Sequence, residues 1–152
     1  MKNILPIYHL QSQFEFNLPK FNLVITAPTG SGKSTEIPRW LQHHGKVLVI
    51  EPRRVACRAL ASHVSHLESV KLGQEVGYHV RHEVKKSNQT QILFVTPGIA
   101  LRMIRAQNID QFSTIVLDEF HERSLDTDLL LGLLLKRNKR LVLLSATINA
   151  EP

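Results

Sequence analysis

Cysteine is almost absent from this chain. Cys57 is the only one in 152 residues, which excludes an internal disulfide and suits a reducing compartment. Long apolar runs are missing as well: the longest, Leu129–Leu135, falls far short of the ~20 residues that cross a bilayer. Met1–Leu10 offers one lysine and a short apolar stretch broken by Pro6 and His9, which makes no secretory signal. Together these features lead us to expect a cytoplasmic protein with no membrane partner. Internal repeats and low-complexity linkers are lacking, and 152 residues suit one domain with a real core but not two. Acidic residues are in the minority, 13 against 19 Lys and Arg, so the net charge is +6. That excess fits either a solvated basic surface or an anionic partner whose phosphates exchange counterions for Lys and Arg. With 43% hydrophobic and 21% charged residues, the composition is that of a folded globular chain and excludes disorder.

What is present is alternation. Short β-branched or leucine-rich runs at Leu23–Thr26, Val47–Ile50, Ile92–Thr96, Ile115–Leu117 and Leu141–Leu144 read as strands. Helical patterns follow at Lys33–His43, Arg54–Leu67, Pro97–Ile104 and Ser124–Leu135. Gln74–Arg81 reads as an extra extended segment and Lys85–Gln89 as a polar turn, while Pro38 should distort its helix locally. This order predicts an α/β fold with a mainly parallel central sheet covered by helices on both faces. Ligands of such folds bind at the carboxyl ends of the strands, and three candidate motifs begin there, after Thr26, Leu117 and Leu144.

Residues 27–35 read A-P-T-G-S-G-K-S-T, between a strand and a helix. This matches the Walker A phosphate loop, with Ala27 standing where the strict pattern has Gly. Gly30 and Gly32 permit torsions and close approaches that a side chain would block. Backbone N–H groups of the loop can then form an anion nest, reinforced by the helix N-terminus. Thr29, Gly30, Ser31, Gly32, Lys33, Ser34 and Thr35 are therefore the candidate ATP-binding residues. Lys33 would serve the β- and γ-phosphates, and the Ser34 hydroxyl would ligate Mg²⁺.

A second site stands at the end of an apolar strand, where Asp118 and Glu119 adjoin. Asp118 suits Mg²⁺ held through water, and Glu119 suits orienting the attacking water. Adjacent acids alone could be no more than a solvated strand end; the pairing with the phosphate loop gives them meaning.

The run D-E-F-H-E-R-S-L-D-T-D-L-L-L-G-L-L from Asp118 closely resembles the D-E-A-H-E-R segment of the DEAH-box helicases of superfamily 2. A-P-T-G-S-G-K-S-T is similar to their motif I, E-P-R-R-V-A (Glu51–Ala56) to motif Ia, and L-S-A-T (Leu144–Thr147) to motif III. V-G-Y-H-V-R (Val76–Arg81) and T-P-G-I-A-L-R (Thr96–Arg102) resemble later nucleic-acid-facing segments. Ala-Pro before Thr29 and Phe120 for the usual Ala look most like the bacterial HrpB branch. The resemblance covers residues 20–150 and implies a RecA-like P-loop NTPase, a three-layer sandwich forming the first of two such domains. It further implies ATP and Mg²⁺ as cofactors, a nucleic-acid partner with RNA ahead of DNA, and a bacterial cytoplasmic setting. Carried over residue by residue, His121 would couple the nucleotide site to the partner domain. Ser145 and Thr147 would link hydrolysis to strand movement. Arg53, Arg54, Arg81 and Thr96 would contact the nucleic-acid backbone, which positions a strand without reading its sequence.

Two departures from the family pattern stand out. Where the family commonly has an Arg that stacks on adenine, this chain has His63, an imidazole without permanent charge, from which weak base selectivity follows as a hypothesis. Pro97 replaces the usual Asp of the T-P-G segment and removes a carboxylate and a backbone donor. No Q-x-x-G-R-x-G-R segment, which carries the family's arginine fingers, occurs in these residues. Isolated, they are expected to bind nucleotide but hydrolyse it feebly. The eight histidines, including the His63/His66 and His43–His44 pairs, form no convincing zinc set with cysteine or carboxylate. Trp40 and the leucines of Leu125–Leu135 are expected to pack in the core. Two other readings stay open: another P-loop enzyme such as a small-molecule kinase, and a nucleic-acid adaptor with a degenerate ATPase.

Overall fold

Along the central strands β-branched, leucine and phenylalanine residues are buried throughout, Thr114 being the one polar member, and this sets the architecture. A computed structural model describes residues 5–20 and 22–146. Its strands are β1 (Leu23–Ala27), β2 (Val47–Ile50), β3 (Val76–Val80), β4 (Glu83–Lys85), β5 (Ile92–Val95), β6 (Thr114–Leu117) and β7 (Arg140–Ala146). They form one sheet in the order β1-β7-β6-β2-β5-β3-β4, parallel throughout except for the β3–β4 hairpin. All four residues of β2, β5 and β6 are buried, as a sheet covered on both faces requires.

Side-chain alternation along these strands feeds two cores. Val47, Val49, Ile92, Phe94 and Val116 pack with α1 (Gln11–Asn17), α2 (Lys33–Leu41) and α3 (Arg54–Leu67). Leu48, Ile50, Leu93, Val95, Ile115 and Leu117 pack with α4 (Pro97–Arg105) and α5 (Leu125–Leu135). The result is the expected three-layer α/β sandwich. In register, Ile50 pairs with both Leu117 and Val95, and Ala27 with Ala146. The residues that follow β1, β2 and β6 therefore emerge along one edge of the sheet, where β7 also ends.

Several expectations are corrected. Lys85 belongs to β4, paired against Tyr78, so the polar turn starts one residue later than expected. The α2 helix stops at Leu41 and a 3₁₀ turn covers Gln42–His44. It runs unbroken through Pro38, whose missing donor would have served only the carbonyl of Ser34, in the first turn. An N-terminal 3₁₀ turn (Pro6–Leu10) and α1 were not anticipated, although Ile7, Leu10, Phe14 and Leu18 carry helical spacing. Trp40 does pack, against Tyr8 and Phe14. The α5 leucines divide: Leu130 and Leu134 are buried, whereas Leu125, Leu129 and Leu135 face solvent.

Candidate nucleotide site and the adjoining arginine cleft

Between β1 and α2 the chain reverses within residues 28–32. Gly30 (φ +79°) and Gly32 (φ +93°) both sit in the left-handed region, where a side chain would be strained. Gly32 caps α2, its carbonyl accepting the Thr35 and Glu36 amides. A cavity of about 310 Å³ opens over this loop, lined by Thr29, Gly30, Gly32, Lys33, Ser34 and Thr35, with His63 from α3 and Glu119 joining them. Lys33 is almost fully buried, and so is Ser31, whose hydroxyl finds no partner among the described residues. Seven of the eight expected nucleotide contacts thus line one cavity; Ser31 is the exception.

Asp118 follows β6 directly, and its amide donates to the Ile50 carbonyl at 2.9 Å. One carboxylate oxygen accepts the Glu119 amide (2.8 Å). The other is buried and unpartnered among the described residues. Next to it is a residue that sequence reasoning passed over, Glu51, which leaves β2 beside Asp118 and is 2% exposed. Burial, reinforced by the neighbouring Asp118 carboxyl, pushes the Glu51 carboxyl up to about 9, so Glu51 favours its protonated form. The pairing of β2 with β6 creates this contact across 67 residues of sequence, and no local signal announces it.

Glu119 adopts φ +53°, unusual for a residue with a side chain and costly unless the surroundings enforce it. Its carbonyl accepts the Glu122 amide (2.8 Å), and the Phe120 amide donates to Leu144 on β7 (2.9 Å). The tight turn brings the Glu119 carboxylate to the cavity. His121 meets it there, Nε2 lying 3.1 Å from Oε2. Nδ1 of the same ring accepts the Ala146 amide at 3.0 Å, so the proton of the neutral ring is on Nε2 and points at Glu119. Ligand atoms of Glu119, His121 and Glu122 lie within 4.8 Å of one another. This trio does not suit a metal, because the Nε2 lone pair is protonated and Glu122 is bound elsewhere. Ser145 donates to the neighbouring Ala146 carbonyl (3.3 Å), and Thr147 lies outside the described residues.

A larger cleft of about 830 Å³ runs beside this site, and Arg54, Arg81 and Thr96 all line it. Arg102 and Arg105 of α4 add two cations that sequence reasoning missed, although their i, i+3 spacing on a helix was readable. Arg53 is placed differently from these. Its guanidinium grips both carboxylate oxygens of Glu122, at 2.5 and 2.6 Å, on an open surface. Thr96 caps α4, and Pro97 occupies the first turn, where an amide donor would have no helical partner anyway. The donor lost by the Asp-to-Pro departure therefore costs this helix nothing. Residues 118–122 separate the two sites, Glu119 facing the cavity and Glu122 the cleft.

Against known proteins, a family model described as DEAD/DEAH box helicase matches residues 9–152. The probable ATP-dependent RNA helicase DHR2 of Saccharomyces cerevisiae is 36% identical over 166 residues, covering 99% of this chain and 23% of that protein. The probable ATP-dependent RNA helicase DHX35 homolog of Caenorhabditis elegans is 36% identical over 160 residues, covering 97% and 22%. Two Escherichia coli crystal structures are similar at 36% identity. One, of the DExH-box NTPase HrpB, superposes with a TM-score of 0.91 over 99% of this chain and 20% of its own. The other, of the DEAH/RHA helicase HrpB, superposes with a TM-score of 0.88 over 95% and 20%. The chain spans about a fifth of the length of the relatives it matches. On the family match and these likenesses together, the chain belongs to the DEAD/DEAH box helicase family.

Proposed function

We propose that these residues are the ATP-binding domain of an ATP-dependent nucleic-acid helicase. Joined to a second RecA-like domain, they couple hydrolysis to translocation or unwinding. RNA is the favoured substrate, since both curated relatives above are named as RNA helicases. One observation carries the reading: Lys33, Ser34 and Glu119 line a single cavity, and the buried Asp118 directly precedes Glu119 at the end of β6.

Loop amides and Lys33 bind the phosphates, and Glu119 orients the attacking water. His121 holds the Glu119 carboxylate in place and ties it to β7. Ser34 and Asp118 are the residues that fit Mg²⁺, because a buried, unpartnered carboxylate oxygen suits a hard cation reached through water. When bound, the ion neutralises phosphate charge. Arg54, Arg81 and Thr96 supply the backbone contacts to the strand, and Ser145 and Thr147 lie on the segment that links the two events. An intact Lys33–Glu119 cavity favours this over a degenerate adaptor. The neighbouring arginine cleft favours it over a small-molecule kinase.

ATPase assays of the wild type, Lys33→Ala and Glu119→Gln, with and without single-stranded RNA, test the reading. Weak hydrolysis lost in both variants supports it. Hydrolysis that is indifferent to both substitutions refutes it.

A further inference from the structure

Residues 5–10 are laid against the phosphate loop. The Ile7 amide donates to the Ser31 carbonyl (3.1 Å), and the Ile7 side chain is buried in the core. The Tyr8 hydroxyl donates to Glu36 of α2 (2.8 Å). Glu36 in turn holds Arg39 (2.9 Å), and Arg39 holds Glu68 just beyond the end of α3 (2.5 Å). One chain of hydrogen bonds therefore joins the N-terminal segment to the helix that carries His63.

Leu5 is the product of this anchoring. A Cβ added to Gly32 would lie 2.8 Å from Leu5 Cδ1, so the isobutyl group rests directly on the loop. The same side chain lines the nucleotide cavity together with His63. Phosphates call for N–H groups and cations, and a branched alkyl group supplies neither. The ribose and base of a nucleotide are the parts that gain from an apolar wall.

Building on the nucleotide reading above, we propose that Leu5 is a specificity-determining residue of this site, an apolar wall for the nucleoside held in place by Ile7 and Tyr8. Without its contact, a nucleotide keeps its phosphate grip and loses the discrimination between a nucleoside phosphate and a bare phosphate chain.

The test compares binding of ADP and of inorganic pyrophosphate by calorimetric titration, for the wild type, Leu5→Ala, Leu5→Met and Lys33→Ala. Leu5→Ala should weaken ADP about fivefold to tenfold, the scale of a partly buried leucine side chain, and leave pyrophosphate within about twofold. Leu5→Met, which keeps apolar bulk, should restore ADP binding. Equal loss of both ligands would overturn the proposal by making Leu5 a prop for the loop, and an unchanged ADP affinity would overturn it outright. Lys33→Ala should weaken both ligands. If it weakens neither, the nucleotide reading fails separately from the role of Leu5. Tyr8→Phe, which keeps the ring and removes the bond to Glu36, should weaken ADP more than pyrophosphate; equal affinities there would also count against the anchored wall.

Discussion

The backbone amide of Ala146 donates to Nδ1 of His121 across 3.0 Å, joining the end of β7 to the segment that carries the acidic residues. A donor on Nδ1 fixes the ring tautomer, and the proton left on Nε2 reaches the Glu119 carboxylate at 3.1 Å. A movement of β7 therefore reaches Glu119, the residue proposed to orient the attacking water.

His121→Ala should leave ADP affinity within about threefold, because the ring does not line the loop cavity. Single-turnover ATP hydrolysis should fall roughly tenfold to a hundredfold, the scale of a misplaced catalytic group. Equal losses in binding and in hydrolysis would instead show that the ring has only a structural role.

Glu122 holds the guanidinium that the proposed strand contact needs, so it would compete with phosphate for Arg53. The Arg53 Nη2 donates to both Glu122 oxygens, at 2.5 and 2.6 Å, on an exposed surface, where such pairs are individually weak. Glu122→Ala should therefore tighten binding of a single-stranded RNA oligonucleotide several-fold and steepen its salt dependence. Arg81→Ala should weaken binding and reduce the salt slope by about one. Fluorescence anisotropy across a salt series measures both slopes; weaker binding by Glu122→Ala would contradict the competition.

Gly77 lies in β3 where a Cβ would meet the Lys85 carbonyl oxygen at 2.2 Å. Backbone cannot yield as a side chain does, so Gly77→Ala should prise β4 from β3 at a cost of about 1–3 kcal/mol. Urea denaturation would show this as a lowered midpoint. Gly98→Ala meets nothing within 4 Å and serves as the comparison.

Cys57 is fully buried, and burial, reinforced by the charges of Glu51 and Asp118, pushes its thiol up to about 12. A raised thiol pKa means that little thiolate exists at pH 8, and thiolate is the reactive form. Native protein should therefore resist iodoacetamide at pH 8 and be labelled promptly once denatured. Mass spectrometry distinguishes the outcomes, and rapid native labelling would contradict the packing of α3 on the sheet.

Much of this was legible in the sequence because it is local. The phosphate loop, Asp118–Glu119 and the buried strands each declare themselves within a dozen residues, through glycine placement and apolar runs. What escaped notice depends on the sheet. Glu51 becomes a neighbour of Asp118 only when β2 pairs with β6, and Arg53 finds Glu122 only because both leave the same sheet edge. The β4 strand was missed because three residues, two of them charged, carry no period; it exists by pairing with β3. The N-terminal helix was readable in its apolar spacing, but its contact with the loop was not.

The central claim is that Lys33 and the loop around it form a nucleotide site completed by Glu119. Equilibrium titration with a fluorescent ATP analogue in Mg²⁺ and in chelator, for the wild type, Lys33→Ala and Glu119→Gln, tests it most directly. Saturable binding that is strengthened by Mg²⁺, lost in Lys33→Ala and retained in Glu119→Gln is the expected result. Binding unchanged by Lys33→Ala, or no binding by the wild type, would contradict it.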